Sequence, residues 1–286
     1  VFCGFHGKYK LHDLKPASLK LEFVKKILDQ AKRLGIGRKE VGFYLAGEAF
    51  LYKELATVIS YAKSLGFSYT FLTTNGALAG KEKMESVINA GLDSIRFSVN
   101  AGDKVTYKEI HGTDDFEKVL ENIRYLDEYR KRNNIDIAVS LSCVVTKKTK
   151  FVQKDVERVF SSYVDDILFM PVRLSRLKKL QALKEKFEML DEMGEIDPDY
   201  ICPVLFDTMY ISSEGKVIPC CSAYDAGIEF ADLYENIDLQ EAWYNINYDK
   251  YRRIFVEGAS DDETICKTCA LRRKGAGRFS LEEVNT

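Results

Sequence analysis

A chain of 286 residues is long enough for one large domain or for a large and a small one, and at 46% apolar and 30% charged it can bury a sizeable core and stay in solution. Its 42 lysines and arginines nearly balance 44 aspartates and glutamates, a net charge of −2, so no global excess drives binding to nucleic acid or to a membrane surface. No apolar run approaches the roughly 18 residues of a membrane span and no basic-then-apolar leader precedes Val1, so a cytosolic, cytoplasmic protein is expected.

Apolar residues at Leu21, Val24, Ile27, Leu28 and Ala31 recur at helical spacing, predicting a helix over 19–34 that stops at Gly35. Strands are then predicted at 41–46, 68–73, 93–99, 135–145 and 167–171, alternating with helices at 52–65, 81–90, 116–131 and 154–163. Such alternation argues for right-handed βαβ units and a parallel α/β sheet, with a sixth strand expected before Cys3. In these sheets the loops at the strand carboxyl ends carry the chemistry, and here they hold Gly47 and Glu48, Thr74 to Gly76, and Ser98 to Gly102. Ser140 and Ser142 alternate with Val139, Leu141 and Cys143, a polar face that on a parallel strand predicts a wet substrate cavity, with Cys143 turned toward the helices. A charged helix over 174–193 leads out of this unit, and from Asp199 the texture changes to cysteines, turns and short strands.

Seven cysteines in a cytosol-like composition suggest metal or redox work rather than disulfides. Residues 208–219 read as a hairpin turning at Ser212 to Gly215, which would bring Cys202 and Cys220 together, and Cys266-Lys267-Thr268-Cys269 supplies two further thiols. Four thiolates suit tetrahedral zinc or an iron–sulfur cluster, and the spacing does not choose between them. Cys221 adjoins Cys220 and is expected to point the opposite way on a short strand. The runs Lys147-Lys148 and Arg272-Arg273-Lys274 read as solvated surface.

Phe2-Cys3 followed by Gly4 resembles the end of the CxxxCxxC loop of radical S-adenosylmethionine (radical SAM) enzymes, whose first two cysteines would fall before Val1, so an N-terminally truncated chain is expected. Ala46-Gly47-Glu48-Ala49 resembles the family's GGEP motif with both flanks altered. Thr74-Asn75-Gly76 resembles its TNG turn, and Ser98-Val99-Asn100 its SxD or SxN ribose motif. Tyr107 to Gly112 is similar to the YxxIRG that follows, with His111 where arginine is usual. Cys202-Pro203, Gly215, Cys220-Cys221 and Cys266-x-x-Cys269 resemble the auxiliary-cluster extension called SPASM or, when shortened, twitch; the lack of cysteines after Cys269 favours the twitch form.

The resemblance covers nearly the whole chain in the family's motif order. It implies a partial (β/α)6 TIM-like barrel over 1–175, a linker helix at 176–198 and a cysteine-rich α+β domain over 199–286. It also implies SAM and two [4Fe–4S] clusters in the full-length protein. Cys3 would ligate the SAM cluster, and Cys202, Cys220, Cys266 and Cys269 the auxiliary one. Phe2, Gly47, Glu48, Thr74, Asn75, Ser98, Asn100 and His111 would contact SAM, with Glu48 receiving its methionine ammonium. His111 has an alternative as an exposed loop histidine. The expected reaction is reductive cleavage of SAM to a 5′-deoxyadenosyl radical that abstracts hydrogen from a peptide or sugar-like substrate. Oxidation, crosslinking or epimerisation then follows, the last with Cys221 as hydrogen-atom donor. The implied partners are that substrate and a one-electron reductant such as flavodoxin or ferredoxin. A rival from another class is a non-catalytic, zinc-stabilised binding module on an α/β scaffold.

Overall fold

The computed structural model describes residues 17–45, 47–145, 152–171, 195–221, 223, 227–262, 264–272 and 274. These residues fall into two compact units, one reaching Val144 and resuming over 152–169, the other comprising Val145 and the described residues from Met170 onward. The predicted helix at 174–193 and the strand expected before Cys3 lie outside the described residues. Among the described residues no helix is long and apolar enough to cross a membrane.

In the first unit five strands alternate with helices: α1 (Leu21–Leu34), β1 (Val41–Phe43), α2 (Leu55–Ser64), β2 (Thr70–Thr74), α3 (Lys81–Asn89), β3 (Ser94–Ser98), α4 (Lys104–His111), α5 (Phe116–Arg132), β4 (Ala138–Val145), α6 (Val152–Phe160) and β5 (Asp166–Pro171). The sheet order follows the chain order, β1 to β5, as a partial TIM-like barrel of parallel strands requires. One face of the sheet is apolar. Leu72, Ile95, Phe97, Val139, Leu141 and Cys143 are all buried, and so are the inward stripes of the helices, such as Val58, Ile59 and Ala62 of α2. The thiol of Cys143 is pushed up to about 12 by that burial, in keeping with its expected place toward the helices. The other face is polar and half-open, with Thr73, Arg96 and Ser140 side by side in register.

Two departures from the predicted elements have local causes. Helix α4 was not expected. Asp103 caps it by accepting from the Val105 and Thr106 N–H groups at 2.9 and 3.0 Å, and Gly112 ends it at φ 78°. Strand β1 stops at Phe43, three residues early, because the chain turns there toward a 3₁₀ turn at Ala49–Leu51.

The amino ends of the strands are buttressed by carboxylates. Asp93 accepts from the Thr70 N–H at 2.7 Å, the Thr70 hydroxyl at 2.8 Å and the Lys63 ammonium at 2.8 Å, joining α2, β2 and the start of β3. Asp165 accepts from Val139 N–H and Arg130, each at 2.7 Å, and Arg130 also donates to the buried Asp127. Burial pushes the Asp93 carboxyl up, but the Lys63 and Thr70 donors overcome it and hold it below the ordinary value. Its contribution to stability is therefore present above the unfolded-state carboxylate range and is lost as pH falls through the lower folded value. Asp93→Asn is expected to cost about 2 kcal/mol in denaturant unfolding at pH 7, with the difference from wild type closing as pH falls through the lowered Asp93 value.

The second unit contains a short helix α7 (Val204–Asp207) and the expected hairpin, β6 (Tyr210–Ile211) with β7 (Lys216–Ile218), paired antiparallel. The buried Ser212 closes the turn by accepting from Glu214 and Lys216 N–H groups, and Gly215 takes φ 78°. A third strand, β8 (Ala231–Asp232), and helices α8 (Leu239–Trp243) and α9 (Ile246–Val256) complete the unit. Phe230, Trp243, Tyr248 and Tyr251 form its aromatic core, with ring centroids 4.7–4.9 Å apart.

Candidate functional site

At the carboxyl end of β1 the Glu48 carboxylate is held by three donors: the Phe50 N–H at 3.1 Å, the Thr74 hydroxyl at 2.7 Å and the Asn75 N–H at 2.9 Å. A carboxylate offers about four acceptor positions, so one remains on Oε2. Thr74 is buried and its oxygen also accepts from Gly76 N–H, while Asn75 Oδ1 accepts from Ala77 N–H. The turn is fixed from below by the buried Asn122 of α5, whose amide donates to the Gly76 carbonyl at 2.8 Å. Gly76 itself lies at φ 80°, and a Cβ there would meet Phe97 and Val119 at 3.0 Å. Glu48, Thr74 and Asn75 are thus brought together, whereas Gly47 stands exposed beside them with open space around its Cα. Phe2 and Cys3 lie outside the described residues.

Thr74 pairs with Phe97, which sets Ser98 at the adjoining strand end. Ser98 is opposite Ser142, their hydroxyls 3.4 Å apart. Ser140 is half-buried against the Arg96 guanidinium and Ser142 is buried beside Ser98, both on the face turned away from the helices. Asn100 Oδ1 accepts from Val144 N–H at 2.7 Å, and the Asn100 N–H donates to His111 Nε2 at 3.3 Å. His111 is on no exposed loop: it ends α4, half-buried and stacked on Tyr107 with centroids 4.1 Å apart. Burial lowers its pKa to about 4, so the ring is neutral at pH 7 and offers no permanent positive charge where arginine is usual. Gly102 is required by proximity, since a Cβ there would lie 2.4 Å from the Asp155 backbone of α6.

In the second unit the cysteine thiols influence one another. Burial pushes Cys266 up to about 12, and Cys269, Cys220 and Cys202 add to that rise. Burial also raises Cys202, against hydrogen bonds donated to it by the Leu205 and Val204 N–H groups and the Tyr200 hydroxyl. Yet among the described residues no three Cys, His, Asp or Glu side chains are gathered as a single ion needs. Tetrahedral zinc would hold its sulfurs about 3.8 Å apart; a cubane cluster spreads its four thiolates more widely. Cys202, Cys220 and Cys269 all act on Cys266, so the four thiols share one neighbourhood, as a four-thiolate centre requires.

Two buried donors of this unit have no partner among the described residues. Arg252 donates Nε to the Leu205 carbonyl at 2.9 Å and Nη1 to the Trp243 carbonyl at 2.8 Å, but its buried Nη2 has no partner. The Tyr248 hydroxyl is likewise buried and unpartnered, close enough to Cys220 to feel its charge. The Tyr248 hydroxyl is suited to an anionic group at Cys220, whereas the Arg252 guanidinium lies over the Trp243 and Tyr248 rings, 4.4 and 4.6 Å from their centroids. The reason Cys221 is exposed differs from the one expected. Residues 219–221 lie beyond the end of β7, in a bend, so strand alternation does not govern Cys220 and Cys221.

Sequence reasoning passed over Asn122, Tyr248 and Arg252. The legible signal for Asn122 was a polar residue set in the apolar stripe of Val119, Ile123 and Leu126. Asn122→Leu is expected to free the Gly76 carbonyl and cost about 1–3 kcal/mol in unfolding measurements, with hydrogen exchange of the Asn75 and Gly76 amides accelerated. Anaerobic reconstitution with iron and sulfide is expected to load about four of each at the four-cysteine centre, and Cys220→Ser or Cys266→Ser to lower both counts together.

The chain matches the Radical SAM superfamily over residues 1–148 and an iron–sulfur cluster-binding domain, SPASM, over residues 202–270. Among curated proteins it is 30% identical over 154 residues to a probable GTP 3′,8-cyclase of Sulfolobus acidocaldarius, covering 54% of this chain and 47% of that one. It is 31% identical over 175 residues to the Saccharolobus islandicus counterpart, covering 60% and 51%. The chain thus spans about half the length of these relatives. Its fold is that of Streptococcus suis SuiB bound to precursor peptide SuiA, with a TM-score of 0.65, 17% identity and coverage of 96% of this chain and 68% of that one. BtrN in complex with AdoMet and 2-DOIA gives a TM-score of 0.55 at 15% identity, covering 97% and 90%. The chain therefore belongs to the Radical SAM superfamily, whose enzymes use SAM and iron–sulfur clusters, and carries the SPASM-type cluster-binding domain with it.

Proposed function

We propose that the first unit binds SAM at the Glu48–Thr74–Asn75 rim and that the enzyme abstracts hydrogen from a carbon of an organic substrate. The observation that carries this reading is the clamped Glu48 carboxylate, whose orientation is fixed by Phe50, Thr74 and Asn75 while one acceptor position on Oε2 stays available. A cationic ammonium placed there makes a charge-assisted hydrogen bond without reorganising the carboxylate. The Ser98 hydroxyl at the next strand end, together with Gly47, Asn100 and His111, would serve the hydroxyl and carboxylate groups of the same ligand, His111 acting as a neutral hydrogen-bonding ring rather than a cation. The clusters and the SAM bound to them, when present, supply the electron transfer and the hydrogen-abstracting radical. Cys3 would be a ligand of one cluster, and Cys202, Cys220, Cys266 and Cys269 the ligands of the other.

The finer outcome divides on a thiol. Cys221 is exposed and outside the four-cysteine set, which supports its use as a hydrogen-atom donor in an epimerisation; without that donation the net reaction is oxidation or crosslinking. Solved neighbours were captured with a precursor peptide in one case and a small molecule in another, so a peptide and a sugar-like molecule both suit this fold. A one-electron reductant of the flavodoxin or ferredoxin type is the expected partner. In the protein carrying its complete CxxxCxxC loop, Glu48→Gln is expected to weaken SAM binding roughly 10- to 100-fold, the worth of one charge-assisted hydrogen bond, and to leave the iron content of the SPASM-type domain unchanged. Equal SAM affinity in equilibrium dialysis would reduce Glu48 to a structural clamp.

A further inference from the structure

The open face of the sheet carries a charge that the rim does not use. Along the positions of β2, β3 and β4 that face away from the helices stand Phe71 and Thr73, Ser94, Arg96 and Ser98, and Ala138, Ser140, Ser142 and Val144. Arg96 is the one charged residue among them. It is exposed although it lies on the central strand of the sheet, and its described contact is Nε to the Ser140 hydroxyl at 3.2 Å. Among the described residues no carboxylate pairs with it. Faces of parallel strands are ordinarily apolar, and an arginine on a protein surface is as a rule solvated beside a carboxylate or free to wander. Here Ser140 tethers the inner nitrogen and leaves the two terminal nitrogens of the guanidinium fork unengaged.

We propose that Arg96 is a substrate-binding residue for an oxyanion, a carboxylate or phosphate carried by the molecule on which this enzyme acts. The inference rests on the reading of the rim as the SAM site and adds the substrate's chemical class to it. A guanidinium with its Nε held by a neighbour presents the remaining donors in a fixed, planar pair, the geometry that grips an oxyanion bidentately. Arg96 precedes Ser98 by two residues, about 7 Å along the strand. An anion held at Arg96 therefore leaves the body of the substrate extending toward the strand ends, where the hydrogen is abstracted, and fixes its distance from that point. The Phe71 and Tyr44 rings, with centroids 5.2 Å apart, lie on the amino-end side of this position, Phe71 level with Ser94, so they leave the path from Arg96 to the strand ends clear. Because Thr73 and Ser140 flank Arg96 in register and bring no charge, nothing on the neighbouring strands competes with an incoming anion.

The test is calorimetric titration of the full chain with tripolyphosphate, GTP and glutarate, in wild type, Arg96→Gln, Arg96→Lys and the control Arg158→Gln, whose residue sits exposed on α6. At least one probe is expected to bind wild type, to lose tenfold or more in affinity in Arg96→Gln, to recover in part in Arg96→Lys and to be unaffected in the control. Dependence confined to tripolyphosphate and GTP assigns a phosphate, and dependence confined to glutarate a carboxylate. Equal binding to wild type and Arg96→Gln, or binding of no probe to wild type, overturns the proposal. SAM binding, followed separately by dialysis in the form with the complete cluster loop, is expected to be the same in Arg96→Gln and wild type. Loss of the SAM reading shows there, in wild type, and not in the anion titration.

Discussion

The Glu48 carboxylate is the constraint on which the carboxyl rim of the first unit depends, because it ties the ends of two neighbouring strands together. Its partners are a backbone N–H from its own turn and a hydroxyl and an N–H from the turn after β2, so the two loops hold a single geometry. Beneath them Asn122 holds the Gly76 carbonyl from α5, and Gly76 leaves the room that Phe97 and Val119 occupy. The rim is built outward from the helix layer. Its polar atoms are spent on one another first, and one acceptor position on Glu48 Oε2 is left over.

The two ends of the sheet use acidic residues for opposite purposes. At the amino ends Asp93 and Asp165 are saturated by lysine, arginine and backbone donors, and their acidity is strengthened accordingly. At the carboxyl end Glu48 has no cationic partner among the described residues and keeps an acceptor position in reserve. Stability and function are thereby assigned to different edges of the same strands, as the architecture of β/α barrels favours.

Much of this was legible in the residues themselves. The alternation of apolar runs gave the strand and helix order, and Glu48, the Thr74-Asn75-Gly76 turn and the four cysteines stood out by motif. The hairpin between Cys202 and Cys220 followed from Ser212 to Gly215. What escaped was whatever depends on clearance or on a missing partner. Gly102 stands in the sequence as one more loop residue after a strand, whereas its reason is the backbone of α6 pressed against it. Tyr248 and Arg252 looked like ordinary core and helix surface, because an unpaired hydroxyl or guanidinium nitrogen has no signature in sequence. His111 showed its position but not its charge, which burial decides. Helix α4 is only eight residues long, and its two signals, the Asp103 cap and the Gly112 stop, lie close together around a short amphipathic run.

The burial of Cys143 has a practical side. A thiol sealed under the sheet and held near pKa 12 forms almost no thiolate at neutral pH, and alkylating reagents attack only the thiolate. In the native first unit this position is chemically silent. Cys221, exposed at the end of β7, offers a reagent the access that Cys143 lacks. Mass-mapped alkylation with and without denaturant would therefore read out the integrity of the helix-packed face through Cys143 alone, turning an inert residue into a built-in reporter of folding.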